Sequence, residues 1–87
     1  MSAVTERAVV EGFERVCAAA TAVGVDASAW TLHHGSQSNG IAWMVVDRRR
    51  VRSFPYMGRT RGDAVSVLAG LEFAFLAVAQ AQREAAK

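Results

Sequence analysis

Val9, Phe13, Val16 and Ala20 recur at spacings of three and four residues, with Glu6, Arg7, Glu11, Glu14 and Arg15 on the opposite side. That period predicts an amphipathic helix from Thr5 to about Val23. Thr5 suits an N-cap, acids follow it in the first turns, and Gly24 suits a stop.

The period then changes to two. From Ala29 to His34, Trp30 and Leu32 alternate with Thr31 and His33, the pattern of a half-buried strand. The stretch from His34 to Gly40, His-Gly-Ser-Gln-Ser-Asn-Gly, is rich in turn formers. A second strand is predicted from Ile41 to Asp47, where both alternating sets, Ile41, Trp43, Val45 and Ala42, Met44, Val46, are apolar. A strand apolar on both faces is expected to be central. After the turn Asp47-Arg-Arg-Arg50, a third strand is expected from Val51 to Tyr56, and Pro55 consigns it to an edge by removing a ladder donor.

The last third, Thr60 to Ala86, reads as one long helix capped by Thr60, with Asp63 near the positive end of its dipole. It would be about 40 Å long against strands of about 20–24 Å, so it is expected to overhang the sheet. Leu68, Leu71, Phe75 and Val78 form one apolar stripe, and Val65, Phe73, Leu76 and Ala69 a second, rotated by roughly 100°. The expected fold is therefore α+β, in the order α-β-β-β-α: a three-stranded antiparallel meander with two helices on one face and a long C-terminal helix.

Composition bounds this picture. With 87 residues, 52% of them hydrophobic and 21% charged, the chain is expected to form a single globular domain spanning residues 1–87. The formal net charge of +2 is unevenly distributed: residues 1–47 balance to −3, residues 48–61 to +6 and residues 62–87 to −1. The positive segment consists of Arg48, Arg49, Arg50, Arg52, Arg59 and Arg61, with no lysine. Guanidinium groups favour planar, bidentate pairing with phosphate or carboxylate. Folding could bring the turn arginines and the helix-start arginines onto one rim.

Catalytic and metal chemistry find little footing. His33 and His34 are adjacent on a strand and point to opposite faces, so they do not share an ion readily. Ser36, Ser38 and the histidines have no third orienting group at a recognisable spacing. No enzyme, metal or other cofactor is expected. The single cysteine, Cys17, lies in the first helical pattern and is read as a core residue. Glu6 and Arg7 interrupt any signal-like run, so a cytoplasmic location is expected. Ala64 to Ala81 has nearly the length of a membrane span but carries Glu72 at its middle, so no membrane insertion is expected.

Two resemblances follow from these residues. The order α-β-β-β-α, with Gly58-Arg-Thr-Arg61 leading into an Ala-rich helix, resembles a double-stranded-RNA-binding domain. That resemblance implies RNA contacts from the first helix, from the loop His34–Gly40, and from Arg59 and Arg61 at the helix start. In this chain the family's lysine-rich run is reduced to Arg61, and the first helix is acidic. Trp30-Thr-Leu, the Gly35-Ser-Gln-Ser-Asn-Gly40 turn and Met57-Gly-Arg-Thr-Arg-Gly-Asp-Ala64 are together similar to small accessory proteins of actinobacterial phages, most of which have no assigned function. This resemblance implies a phage product acting in the host cytoplasm.

Two functions are expected from different classes. The first is protein–protein interaction without catalysis: a homodimer through the C-terminal helix, with a host protein as a further partner. Its surface candidates are Val65, Phe73 and Leu76 on the helix, and Met44 with Thr31 on the outer face of the sheet. The alternative is nucleic-acid binding through the six arginines of residues 48–61.

Overall fold

The Thr5 hydroxyl accepts a hydrogen bond from the Ala8 amide at 3.1 Å and opens the first helix, α1, Glu6–Ala22. At the other end Gly24 takes φ +91°, Gly24 N donates to Thr21 O at 3.0 Å, and Val25 N donates to Ala20 O at 3.0 Å. This Schellman closure satisfies carbonyls that the last turn leaves open, and a left-handed residue is what it requires. The buried face of α1 is Val9, Gly12, Val16, Ala19 and Ala20.

In this computed structural model the structure describes residues 4–37, 40–49, 52–53 and 57–86. After α1 come β1, Trp30–Gln37, and β2, Gly40–Asp47, paired antiparallel from Trp30 opposite Asp47 to Gln37 opposite Gly40. The expected seven-residue turn is shorter than its composition suggested. Gly35 lies within β1 opposite Ala42, and the pairing continues to Gln37 opposite Gly40. Gly35 has its place because the His33 ring lies over it: a Cβ built there would sit 2.6 Å from His33 Nε2.

The third strand expected over Val51–Tyr56 is represented by β3, Arg52–Ser53, which pairs with Asp47 and Val46 of β2. Val51 and residues 54–56 lie outside the described residues. Farther along, Trp43 N donates to Gly58 O at 2.9 Å and Met57 N donates to Trp43 O at 3.1 Å. The chain is thus held against β2 both at Arg52–Ser53 and at Met57–Gly58.

Thr60 caps the final helix, α2, Arg61–Ala85, by accepting from Asp63 N at 3.0 Å. The protein is therefore α+β, with two helices and an antiparallel sheet. Trp43 and Val45, on one face of β2, join Val9 and Val16 of α1, Ala64 and Leu68 of α2, and Met57 in the core. Trp30, Leu32, Phe13, Leu71, Phe75 and Val65 pack around it, half-buried.

The helices run parallel: Gly12 lies against Leu68, the Arg15 guanidinium is 3.3 Å from Glu72, and the Gln82 amide donates to Val23 O at 3.5 Å. The α2 helix, roughly 37 Å long by its helical rise, is therefore accompanied by α1 almost to its end. Its inner face does not overhang into solvent.

Candidate functional site

Candidate chemistry lies in two regions of the chain, the arginine segment and the last helix. Among the described residues the arginines fall into two groups along β2. Arg48 and Arg49 follow Asp47 in the turn at the end of β2. Arg59 follows Gly58, whose carbonyl accepts from Trp43 N, and Arg61 begins α2. Trp43 and Asp47 are four residues apart on one strand, which separates the two groups by about 13 Å or more.

Within the first group, Arg49 is engaged by acids. Its Nη1 is 2.7 Å from Asp26 Oδ2, its Nη2 donates to Asp26 O, its Nε is 3.9 Å from Asp47 Oδ1, and its own amide donates to Asp47 Oδ1 at 3.1 Å. A guanidinium held by two carboxylates and a carbonyl has lost much of its capacity to grip phosphate bidentately. Arg48 and Arg61 are exposed, as is Arg59. The backbone of Arg52 pairs in β3, and Arg50 lies outside the described residues.

Asp26 was not singled out from the sequence. Hydrogen bonds from the Ser28 side chain and backbone, followed by the bond from Arg49, hold its carboxyl at about 2. The Ser28 amide donates to Asp26 Oδ1 at 3.0 Å. The result is a tie between the α1–β1 connection and the turn after β2. An open cleft of about 740 Å³ lies beside it, lined by Gly24, Val25, Asp26, Trp30, Asp47, Arg49 and Phe75. The Trp30 and Phe75 rings, with centroids 6.4 Å apart, form its apolar part. Its charged rim is closed on itself by the Asp26–Arg49 pair.

His33 and His34 occupy opposite faces of β1. The His34 ring stacks on Trp43, with centroids 4.0 Å apart and planes 4° from parallel. Among the described residues no group of three or more His, Cys, Asp or Glu could hold a metal ion. Cys17 is half-buried, and burial, followed by the charge of Glu14, pushes its thiol up. Less thiolate forms at neutral pH as a result.

The second region divides differently from its predicted stripes. Phe73 is 75% exposed and Leu76 50% exposed. Val65 is half-buried against the core, and Val78, placed by its spacing on the inward stripe, is substantially exposed. Met44, expected on an outer surface of the sheet, is only 8% exposed. It is buried within the chain and offers a partner almost no area. Both faces of β2 are in fact covered, since Ala42 is buried beside Met44 while Trp43 and Val45 fill the core on the other side.

Around Phe73 the helix surface is uncharged over most of its length. Between Ala64 and Gln82 the only ionisable side chain is Glu72, and it turns inward to Arg15. The α2 helix is long and apolar enough, by length and composition, to cross a membrane. In the fold, however, Ala64 and Leu68 are wholly enclosed by the core. Compared with known proteins, the chain matches no family model, no curated protein and no solved structure.

Proposed function

We propose that this protein is a small non-catalytic interaction module that associates with itself through the outer face of α2 and thereby presents a paired surface to a further protein partner. The observation that carries this reading is Phe73, three-quarters exposed on a helix whose one ionisable side chain between Ala64 and Gln82, Glu72, turns inward to Arg15. An aromatic side chain left in water at the centre of an apolar surface favours burial against a partner, at about 25 cal/mol per Å² of apolar area removed. A second copy supplies a matching patch through a two-fold axis. In this reading Arg52–Ser53 and Met57–Gly58, each hydrogen-bonded to β2, belong to the third strand of a meander. The site of action in this reading is a host cytoplasm, as a resemblance to phage accessory proteins would imply.

The alternative, nucleic-acid binding through Arg48–Arg61, draws less support. Arg49 is engaged with Asp26 and Asp47, and the two arginine groups stand apart along β2. Size-exclusion chromatography with light scattering on the purified chain tests the leading reading, and absorbance at 260 and 280 nm monitors nucleic acid. A dimer free of nucleic acid is expected, converted to a folded monomer by Phe73→Glu. A monomeric wild type overturns the proposal, as does flotation of the protein with liposomes in place of self-association.

A further inference from the structure

β1 forms an edge of the sheet, and nothing in its sequence guards that edge. On the far side of β2 the chain carries Arg48, Arg49 and Arg52, and Pro55 follows in the sequence. Charges and proline are the usual means by which a strand edge is kept from pairing with another chain. Residues 30–46, by contrast, contain no Asp, Glu, Lys, Arg or Pro.

The direction of the β1 backbone follows from its neighbours. Trp43 N donates to Gly58 O and Met57 N donates to Trp43 O, so the polar backbone groups of Trp43 face away from β1. His34 is the residue opposite Trp43. In an antiparallel ladder the two residues of such a pair both point away from each other, which aims the amide and carbonyl of His34 at the open edge. Leu32, two residues earlier, is in the same phase. The free stretch ends at Trp30, whose amide donates to Ala27 O at 3.0 Å. His33 and His34 lie on opposite faces of β1 and both are exposed, so neither face is roofed there by the described residues.

We propose that this edge pairs antiparallel with the β1 edge of a second copy, joining two sheets into one across a two-fold axis. A second copy brings a strand already held straight by β2, so pairing avoids the ordering cost of a flexible peptide. It brings no carboxylate, ammonium or guanidinium on the paired strands, whose titratable side chains are His33 and His34. Because the other edge is guarded, β1 meets β1, and the contact closes by symmetry instead of running on as a fibre. The contact is weak, since each backbone hydrogen bond contributes only about 0.5–1.5 kcal/mol net and Leu32 and His34 supply few of them. It therefore forms at high protein concentration, where it links pairs made through α2 into larger assemblies. It goes beyond the α2 pairing and does not depend on it.

Amide hydrogen exchange followed by NMR, at low and high protein concentration, tests the contact in the wild type and in Phe73→Glu. The Thr31 and His33 amides, which face β2, should be protected at both concentrations. The Leu32 and His34 amides should be protected only at high concentration, and in both proteins. His33→Lys sets a charge on the exposed edge and should abolish that added protection while the fold is kept. His34→Pro gives a second readout: it removes an outward amide and leaves the ladder to β2 intact, so the same concentration effect at Leu32 should vanish. Leu32 and His34 amides that exchange equally at the two concentrations overturn the proposal and leave the edge to a strand of another protein. Protection that persists in His33→Lys overturns it as well, and so does a concentration effect that disappears in Phe73→Glu, which would belong to α2. Protection at both amides in Phe73→Glu, beside a wild type that is monomeric when dilute, upholds the edge contact and removes the α2 pairing.

Discussion

Arg49 and Asp26 are joined across 23 residues of chain: the guanidinium Nη1 lies 2.7 Å from Asp26 Oδ2, and a second nitrogen donates to the Asp26 carbonyl. Two segments without regular structure, the connection after α1 and the turn after β2, are thereby fastened to each other. The contact also explains why a run of arginines is not equivalent to a phosphate-binding patch. One of its members is structural, and the acid that holds it comes from the part of the sequence with net negative charge.

The Asp26 carboxyl is the group through which acid should loosen this tie. Its folded value of about 2 lies below the ordinary aspartate range near 3.9, so ionised Asp26 favours the folded state. With a depressed folded value, that contribution is fully present above about pH 4 and is lost as pH falls through about 2. Urea-unfolding midpoints of the wild type and Asp26→Asn should therefore differ at pH 5 and converge toward pH 2. A gap of constant size across that range would remove Asp26 from the account.

Gly12 of α1 lies against Leu68 of α2. A Cβ built on Gly12 would be 3.5 Å from Leu68 Cδ1, an ordinary contact. Gly12→Ala should therefore stabilise the protein by about 0.5–1 kcal/mol, because glycine in a helix interior loses more backbone freedom than alanine. Gly12→Leu should instead force the helices apart at a cost of about 1–3 kcal/mol. Thermal unfolding of the two variants checks the sign change, and two losses of equal size would contradict the packing described.

The parts of this fold that were legible in the sequence are those set by local periodicity and capping. The two helices follow from their apolar spacing, and Thr5 and Thr60 each cap the helix that follows. The hairpin was legible in its strands but not in its turn, because Gly35 resembles a turn residue and instead makes room for His33 within β1. Met44 and Phe73 are both apolar residues on elements with excess apolar surface, yet one is buried and the other exposed. Periodicity reports that a face is apolar; the tertiary packing decides what covers it. The Asp26–Arg49 tie was invisible because it joins two residues remote in sequence, each of which reads locally as a turn residue.

Gly58 is a conformational requirement at the entry to α2. Its φ is +106°, and a Cβ added there would stand 2.4 Å from Asp63 Cβ. Its carbonyl also accepts from Trp43 N, so the position has little freedom to shift. Gly58→Ala should cost about 1–3 kcal/mol, through a disfavoured backbone conformation and the collision with Asp63. Urea denaturation would show the loss as a lower midpoint with an unchanged slope; an unchanged midpoint would mean that the junction relaxes freely.

Leu68 and Phe73 are five residues apart on one helix and should respond oppositely to truncation. Leu68 is wholly buried against Gly12 and the core, whereas Phe73 is largely in solvent. Leu68→Ala should cost about 2.7–5 kcal/mol, through lost burial and the cavity left behind. Phe73→Ser should change the stability of the isolated fold by no more than about 0.5 kcal/mol, the usual range for a surface substitution. If the outer face of α2 is an interface, the same Phe73→Ser must weaken self-association markedly, and the concentration dependence of the wild-type melting temperature must disappear in the variant. Unfolding at low and high protein concentration separates the effects: a loss for Phe73→Ser that is equal at both concentrations would make Phe73 a structural residue and remove the support for a paired α2.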